Sequence, residues 1–182
     1  MELKRDFNEM GEKEGSTVKQ ALALEASFVQ ALPKLDKNHN NRVDKDEITH
    51  PGTNLDANSK KVVNFLQQGM NDLCFLRTPG APRYDESYTQ KDIHHMADLF
   101  GSKNAVVKEA KRHCDEGINV VLKQTDENSK LSILEKMTFK AAVMMNAERD
   151  KADLLPGMID DLEKRLNHLQ KILSGLDKAV KD

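Results

Sequence analysis

Between Asp36 and Glu47 the chain spaces side-chain oxygens regularly: Asp36, Asn38, Asn40, Asp44 and Glu47 hold the first, third, fifth, ninth and twelfth places of a twelve-residue stretch. A hard cation such as calcium takes six to eight oxygens at about 2.3–2.6 Å. Short Asp and Asn side chains alternating along a tight turn aim their oxygens inward. The longer Glu47 reaches back and closes the far side with two more. The chemistry this spacing predicts is coordination rather than catalysis. Only Asp36, Asp44 and Glu47 are charged, since Asn38 and Asn40 are neutral. Three carboxylates predict weak affinity, in the micromolar to millimolar range.

The elements that must hold such a loop are a helix entering it and a helix leaving it. Phe28, Leu32 and Leu35 precede the loop as an apolar stripe, Ile48 follows Glu47 directly, and Val43 stands at the eighth place. On these residues the segment Leu32–Ile48 resembles an EF-hand. The resemblance implies a helix–loop–helix fold, Ca2+ as the bound ion, and Asp36, Asn38, Asn40, Arg42 (through its carbonyl), Asp44 and Glu47 as its ligands. It departs from the family at the sixth place, where Asn41 stands for the usual glycine. That place needs a left-handed backbone, which Asn tolerates best after Gly.

The resemblance also implies a second loop, paired with the first through a short β-bridge at Val43. Two stretches offer one. Ala81–Asp92 puts Tyr88 at the eighth place and Asp92 at the twelfth. Its early positions Ala81, Arg83 and Asp85 are poor ligands, so it reads as a metal-free partner that meets Val43 through Tyr88. Gln124–Glu135 offers Asp126, Asn128, Leu131, Ser132 and Glu135, but Gln124 replaces the first carboxylate. The nearer stretch is the preferred partner.

Around the loops the pattern is helical throughout. Ser16 or Thr17 is placed to cap a helix carrying Val18, Ala21, Leu24, Phe28, Leu32 and Leu35, with Pro33 in its last turn. Pro51-Gly52 stops the short helix that leaves the loop. A helix from Asn58 or Ser59 carries Val62, Phe65, Leu66, Met70 and Leu73. Thr89 with Asp92 makes a capping-box start for a helix to about Phe100, ended by Gly101-Ser102. A further helix spans about 104–123, and another about 132–155, ahead of Pro156-Gly157. Beyond that break Ile159, Leu162, Leu166, Leu169, Leu173, Leu176 and Val180 form a three-heptad seam. Two segments of similar length about Pro156 predict an antiparallel hairpin. The seam has two readings: it packs on the rest of the chain, or it binds a partner helix or self-associates.

Composition narrows the function classes. Aromatic residues make up 4% and Trp is absent, which favours helices over sheets. A net charge of −2 with no basic stripe argues against nucleic acid as a partner. No apolar run approaches the length of a membrane span, and the charged first residues are not a secretory signal. Cys74 and Cys114, far apart in sequence, suit a reducing cytoplasm. His94-His95, His113 and Cys114 lack zinc-site spacing, and no nucleophile or phosphate-loop motif is present, so the reading is non-enzymatic. Met137, Met144, Met145 and Met158 read as core or as a pliable target groove.

The expected protein is therefore all-α, with an EF-hand-like helix–loop–helix pair followed by a long C-terminal helical hairpin. It divides into a charged mobile arm (1–16), the pair (17–101), and a helical region (102–182) that packs on the first part or acts as an interaction module.

Overall fold

The computed structural model describes residues 3–76 and 86–179, with side chains from 15 to 76 and 86 to 176. It is all-α. Six helices are described: α1 (Leu3–Leu35), α2 (Lys45–Thr49), α3 (Ala57–Phe75), α4 (Gln90–Gly101), α5 (Lys103–Glu127) and α6 (Ile133–Ala179). Two two-residue strands, β1 (Val43–Asp44) and β2 (Ser87–Tyr88), make one antiparallel bridge. No helix among the described residues is long and apolar enough to cross a membrane.

The chain forms two compact units. The first comprises residues 1–103 and 165–182, the second residues 104–164. In the first, α1 packs on α3 and α4. The reason is periodic. Ala21, Leu24, Phe28, Ala31 and Leu35 recur at steps of three and four along α1 and are all buried. Phe65, Leu66 and Leu73 of α3 and Ile93 and Met96 of α4 bury against the same core. Removing each such side chain from water contributes about 1.5–3 kcal/mol. The end of α6 completes this core: Leu169, Leu173 and Leu176 are buried. Gly69 gives Leu169 its seat, since a Cβ there would lie 2.7 Å from Leu169 Cδ2. Polar bonds fix the same contact at its edges. His168 Nδ1 lies 2.6 Å from Asp72 Oδ2, and Gln170 donates to Thr17 Oγ1 at 2.7 Å. Arg165 lies 4.0 Å above the Phe75 ring.

The second unit is a hairpin of α5 and the first part of α6, joined by a turn at 128–132. Ser132 opens α6 by donating its N–H (2.8 Å) and hydroxyl (2.7 Å) to Glu135. Ion pairs give the direction of the arms. Asp126 pairs with Lys140 near the turn, and Asp115 pairs with Lys151 at 2.6 Å farther along. As residue numbers fall on α5 they rise on α6, which is antiparallel packing.

Three expectations are corrected. Ser16 and Thr17, read as caps of the first firm helix, lie inside α1, whose backbone is helical from Leu3, and do not start it. Pro156-Gly157 does not break the chain, and α6 runs through it for 47 residues. The hairpin is consequently formed by α5 and α6, not by two arms about Pro156. Pro156 is tolerated because it, Gly157, Ala152 and Asp153 are all exposed. The carbonyl that loses its N–H partner four residues back therefore has water to bond. The seam itself is used within the chain, with Leu162, Leu166, Leu169, Leu173 and Leu176 at 6% exposure or less. Val180 lies outside the described residues.

Candidate metal site

α1 ends at Leu35, and the Asp36 N–H still donates to Leu32 O at 2.9 Å, so Asp36 leaves the helix with its side chain free to turn back. The loop that follows is held by its own side chains. Asp36 accepts from the N–H of Asn40 (3.0 Å) and of Asn41 (2.8 Å), one on each carboxylate oxygen. Asn38 Oδ1 accepts from Asn40 N at 3.1 Å, and Asn40 Oδ1 accepts from Arg42 N at 2.9 Å. Two residues take positive φ, His39 at 59° and Asn41 at 61°. Asn41 thus adopts the left-handed backbone that its place in the loop requires.

The two residues expected to close the site lie on its far side. Asp44 caps α2. Its Oδ2 accepts from the amides of Asn38 (2.7 Å) and Asn40 (2.8 Å). Glu47 folds back over the loop: Oε1 accepts from Lys37 N (2.6 Å) and Asn38 N (3.3 Å), and Oε2 from Asp44 N (2.9 Å). Asp36 is 5% exposed and Glu47 6%. The structure thus brings Asp36, Asn38, Asn40, Asp44 and Glu47 into one hydrogen-bonded loop. Arg42 is exposed, and its guanidinium donates to Ser87 Oγ at 3.3 Å.

The electrostatics of this loop are unusual. Asp36, Asp44 and Glu47 are bonded only by neutral N–H groups, and among the described residues no cationic side chain pairs with them. Neighbouring cations are directed outward. Lys37 Nζ donates to His50 O at 2.7 Å, and Lys45 pairs with Glu86 at 2.6 Å. Burying a carboxylate costs free energy that neutral donors offset only in part. A cation at the loop would compete for carboxylates now held by N–H groups, and would reach Asn oxygens by turning each amide over. The donor set is all oxygen, which fits a hard cation and not a soft one. Among the described residues no three His, Cys, Asp or Glu side chains are gathered as a ready metal-holding group, this loop included. The carboxylates are engaged with backbone N–H groups, and the neutral asparagines lie between them.

A second element braces the loop. Val43 pairs with Tyr88 and Asp44 with Ser87 in antiparallel register. Both Val43 and Tyr88 are buried, and the Tyr88 hydroxyl donates to Met70 O at 2.9 Å. Thr89 donates its N–H (2.8 Å) and hydroxyl (2.7 Å) to Asp92, the capping box expected at the start of α4. The bridge from Val43 to Tyr88 is the pairing read from the sequence. The weak ligand positions Ala81, Arg83 and Asp85 lie outside the described residues.

The alternative stretch Gln124–Glu135 forms no such loop. Gln124 and Asp126 are within α5, Thr125 is buried and bonds Val121 O, and Glu135 caps its own helix through Ser132. Those bonds from Ser132 hold the Glu135 carboxyl below its ordinary value. The histidines serve elsewhere. His94 Nδ1 bonds Glu25 Oε2 at 2.9 Å, linking α4 to α1, and His113 lies 3.2 Å from Glu109 on α5. The left-handed turn at His39 and the Asn38 and Asn40 amides on Asp44 escaped the sequence reading. The first carries no distinctive residue type, and the second depends on which end of an amide faces inward. No family model matches the chain, and no curated protein or solved structure matches it either.

Proposed function

We propose that the protein binds one calcium ion in the loop Asp36–Glu47, as a non-enzymatic EF-hand-like helix–loop–helix protein. The observation that supports this reading most is the set of three loop carboxylates, two of them buried, without a cationic side chain among the described residues to balance them. Asp36, Asn38, Asn40, Asp44 and Glu47 would hold the ion through side-chain oxygens and Arg42 through its carbonyl. When bound, calcium supplies the missing positive charge. The chain's own residues do the rest. Asn41 holds the turn, the Val43–Tyr88 bridge fixes the loop's outer edge, and Glu47 ties the loop to α2.

Affinity on this reading is weak. Only three ligands are charged, and the cation competes with N–H groups already bonded to Asp36 and Glu47. The role that follows is structural or that of a weak sensor, with the ion securing the junction of α1 and α2. Burial of the C-terminal seam disfavours the rival reading, in which that seam binds a partner. The test is isothermal titration of the full chain with calcium chloride. One site per chain with a dissociation constant between micromolar and millimolar is expected. Absence of any saturable heat at millimolar calcium rejects the proposal.

A further inference from the structure

We propose that the chain self-associates through the outward face of the first part of α6, pairing antiparallel with the same face of a second copy. The inference is independent of cation binding. It begins with the second unit, the hairpin of α5 and the first part of α6. Val143, Leu154 and Met158 line the apolar groove beside α5. Leu134, Met137, Ala141, Met144 and Met145 recur at steps of three and four on the opposite face. Leu134 is 74% exposed, Met137 64%, Met144 67% and Met145 86%. A surface lysine commonly shows such values, but a run of apolar side chains does not.

Size decides what this face is for. With Ile133, 80% exposed, these side chains present several hundred Å² of apolar surface, at the upper limit of what a monomer exposes. A stable dimer of standard size buries about 800 Å² per partner, of which this patch would form the apolar centre. Shape points to a second copy of this chain. Ala141 is flanked four residues away on each side by a methionine. A two-fold axis at Ala141 therefore sets Met137 of one copy against Met145 of the other. The small side chain of Ala141 lets the helices approach at the centre. Methionine adapts its unbranched chain to such a contact.

Charge points the same way. Lys140 and Lys151 are already paired with Asp126 and Asp115 of α5, and Lys130, Lys136 and Arg149 are nearly balanced by Glu135, Glu148, Asp150 and Asp153. Two such faces meet without net repulsion. A polyanion or an anionic membrane finds no basic surplus to hold it.

Sedimentation velocity of the full chain tests the proposal. The wild type is expected to reach twice the 20.5 kDa chain mass at tens of micromolar. Met137→Lys/Met145→Lys is expected to raise the dimer dissociation constant by about tenfold or more, with unchanged circular dichroism, because both side chains are exposed. Ala141→Cys, next to the two-fold axis, is expected to form a disulfide-linked dimer on mild oxidation. A wild type that stays monomeric at 100-micromolar order overturns the proposal. So does a double lysine variant that remains dimeric, or a dimer in which Cys at position 141 does not crosslink. Wild-type chain that sediments with phosphatidylcholine–phosphatidylserine vesicles, and loses this on the double substitution, also overturns it by making a membrane the occupant.

Discussion

Glu47→Gln tests separately the loop bonding of this side chain and its proposed role as a calcium ligand. Glu47 accepts three backbone N–H groups, from Lys37 at 2.6 Å, Asn38 at 3.3 Å and Asp44 at 2.9 Å, using both oxygens. Glutamine has the same shape but only one acceptor. Its NH2 must face either Asp44 N–H or the Lys37 and Asn38 pair, donor against donor. At least one charge-assisted bond is lost, worth about 1.5–3 kcal/mol where it is buried. Glu47 is 6% exposed, so little solvent screening reduces that figure. For a chain of this size each kcal/mol moves Tm by about 2–4 °C. Without added calcium the variant should therefore melt about 3–12 °C lower. The calcium-dependent part is distinct. Ligand at 100 times the dissociation constant adds about 2.7 kcal/mol, which raises the wild-type Tm by about 5–10 °C. In Glu47→Gln this second shift should collapse, because one charged ligand of three is gone. Differential scanning calorimetry with and without millimolar calcium, at matched ionic strength, reads both. A variant that keeps the full calcium shift, or a wild type that has none, refutes the reasoning.

Three further outcomes follow from packing and charge. Burial raises the Glu25 carboxyl, but hydrogen bonds from Gln90 and His94 outweigh it and bring the group below 4.5, while Glu25 raises His94 above 6.5. The His94 contribution is present below pH 6.5 and lost as pH rises through its raised folded value, whereas that of Glu25 is present above pH 4.5 and lost as pH falls through its lowered one. The stability gap between wild type and His94→Gln should thus be widest between pH 4.5 and 6.5 and vanish in mild alkali. It should amount to tenths of a kcal/mol, since His94 is 55% exposed; denaturant melts across pH check it. Gly69→Ala gains about 1 kcal/mol of helix propensity but drives a Cβ to 2.7 Å from Leu169 Cδ2. Overpacking of about 1–3 kcal/mol should prevail and lower the urea midpoint, and a raised midpoint would show that Leu169 yields freely. Pro156→Ala restores an N–H inside α6 and should stabilise the chain by about 1–3 kcal/mol, read as a rise in Tm without change in helix content.

The loop at 36–47 and its pairing were the most readable parts of this chain because both need particular residues at particular places. The oxygens at 36, 38, 40, 44 and 47 are set by residue type, and the structure gathers them into one bonded loop. Asn41 was readable as left-handed because few L-residues adopt that conformation. The bridge was readable for a related reason: Val43 and Tyr88 are apolar residues at equivalent places in two turns, and both are fully buried where they meet. Thr89 and Asp92 form their capping box because a hydroxyl and a carboxylate three residues apart satisfy N–H groups that a helix start leaves open.

Helix continuity followed different physics. Pro156-Gly157 is a strong local stop signal, yet α6 passes through it. The local penalty is about 3 kcal/mol at most, and packing on both sides outweighs it. Before Pro156, α6 is held to α5 through Lys140 and Lys151; after it, Leu166, Leu169, Leu173 and Leu176 are buried in the first unit. Neither contribution is visible in a window around residue 156. The heptad seam misled in the same direction. Its spacing shows that one face is apolar but not what covers it. Gly69, a residue with no hydrophobic signal, supplies the seat for Leu169. A methionine stripe of equal regularity lies bare thirty residues earlier on the same helix. Periodicity identifies a face that must be covered, and only three-dimensional packing distinguishes the seam already buried from the one still exposed.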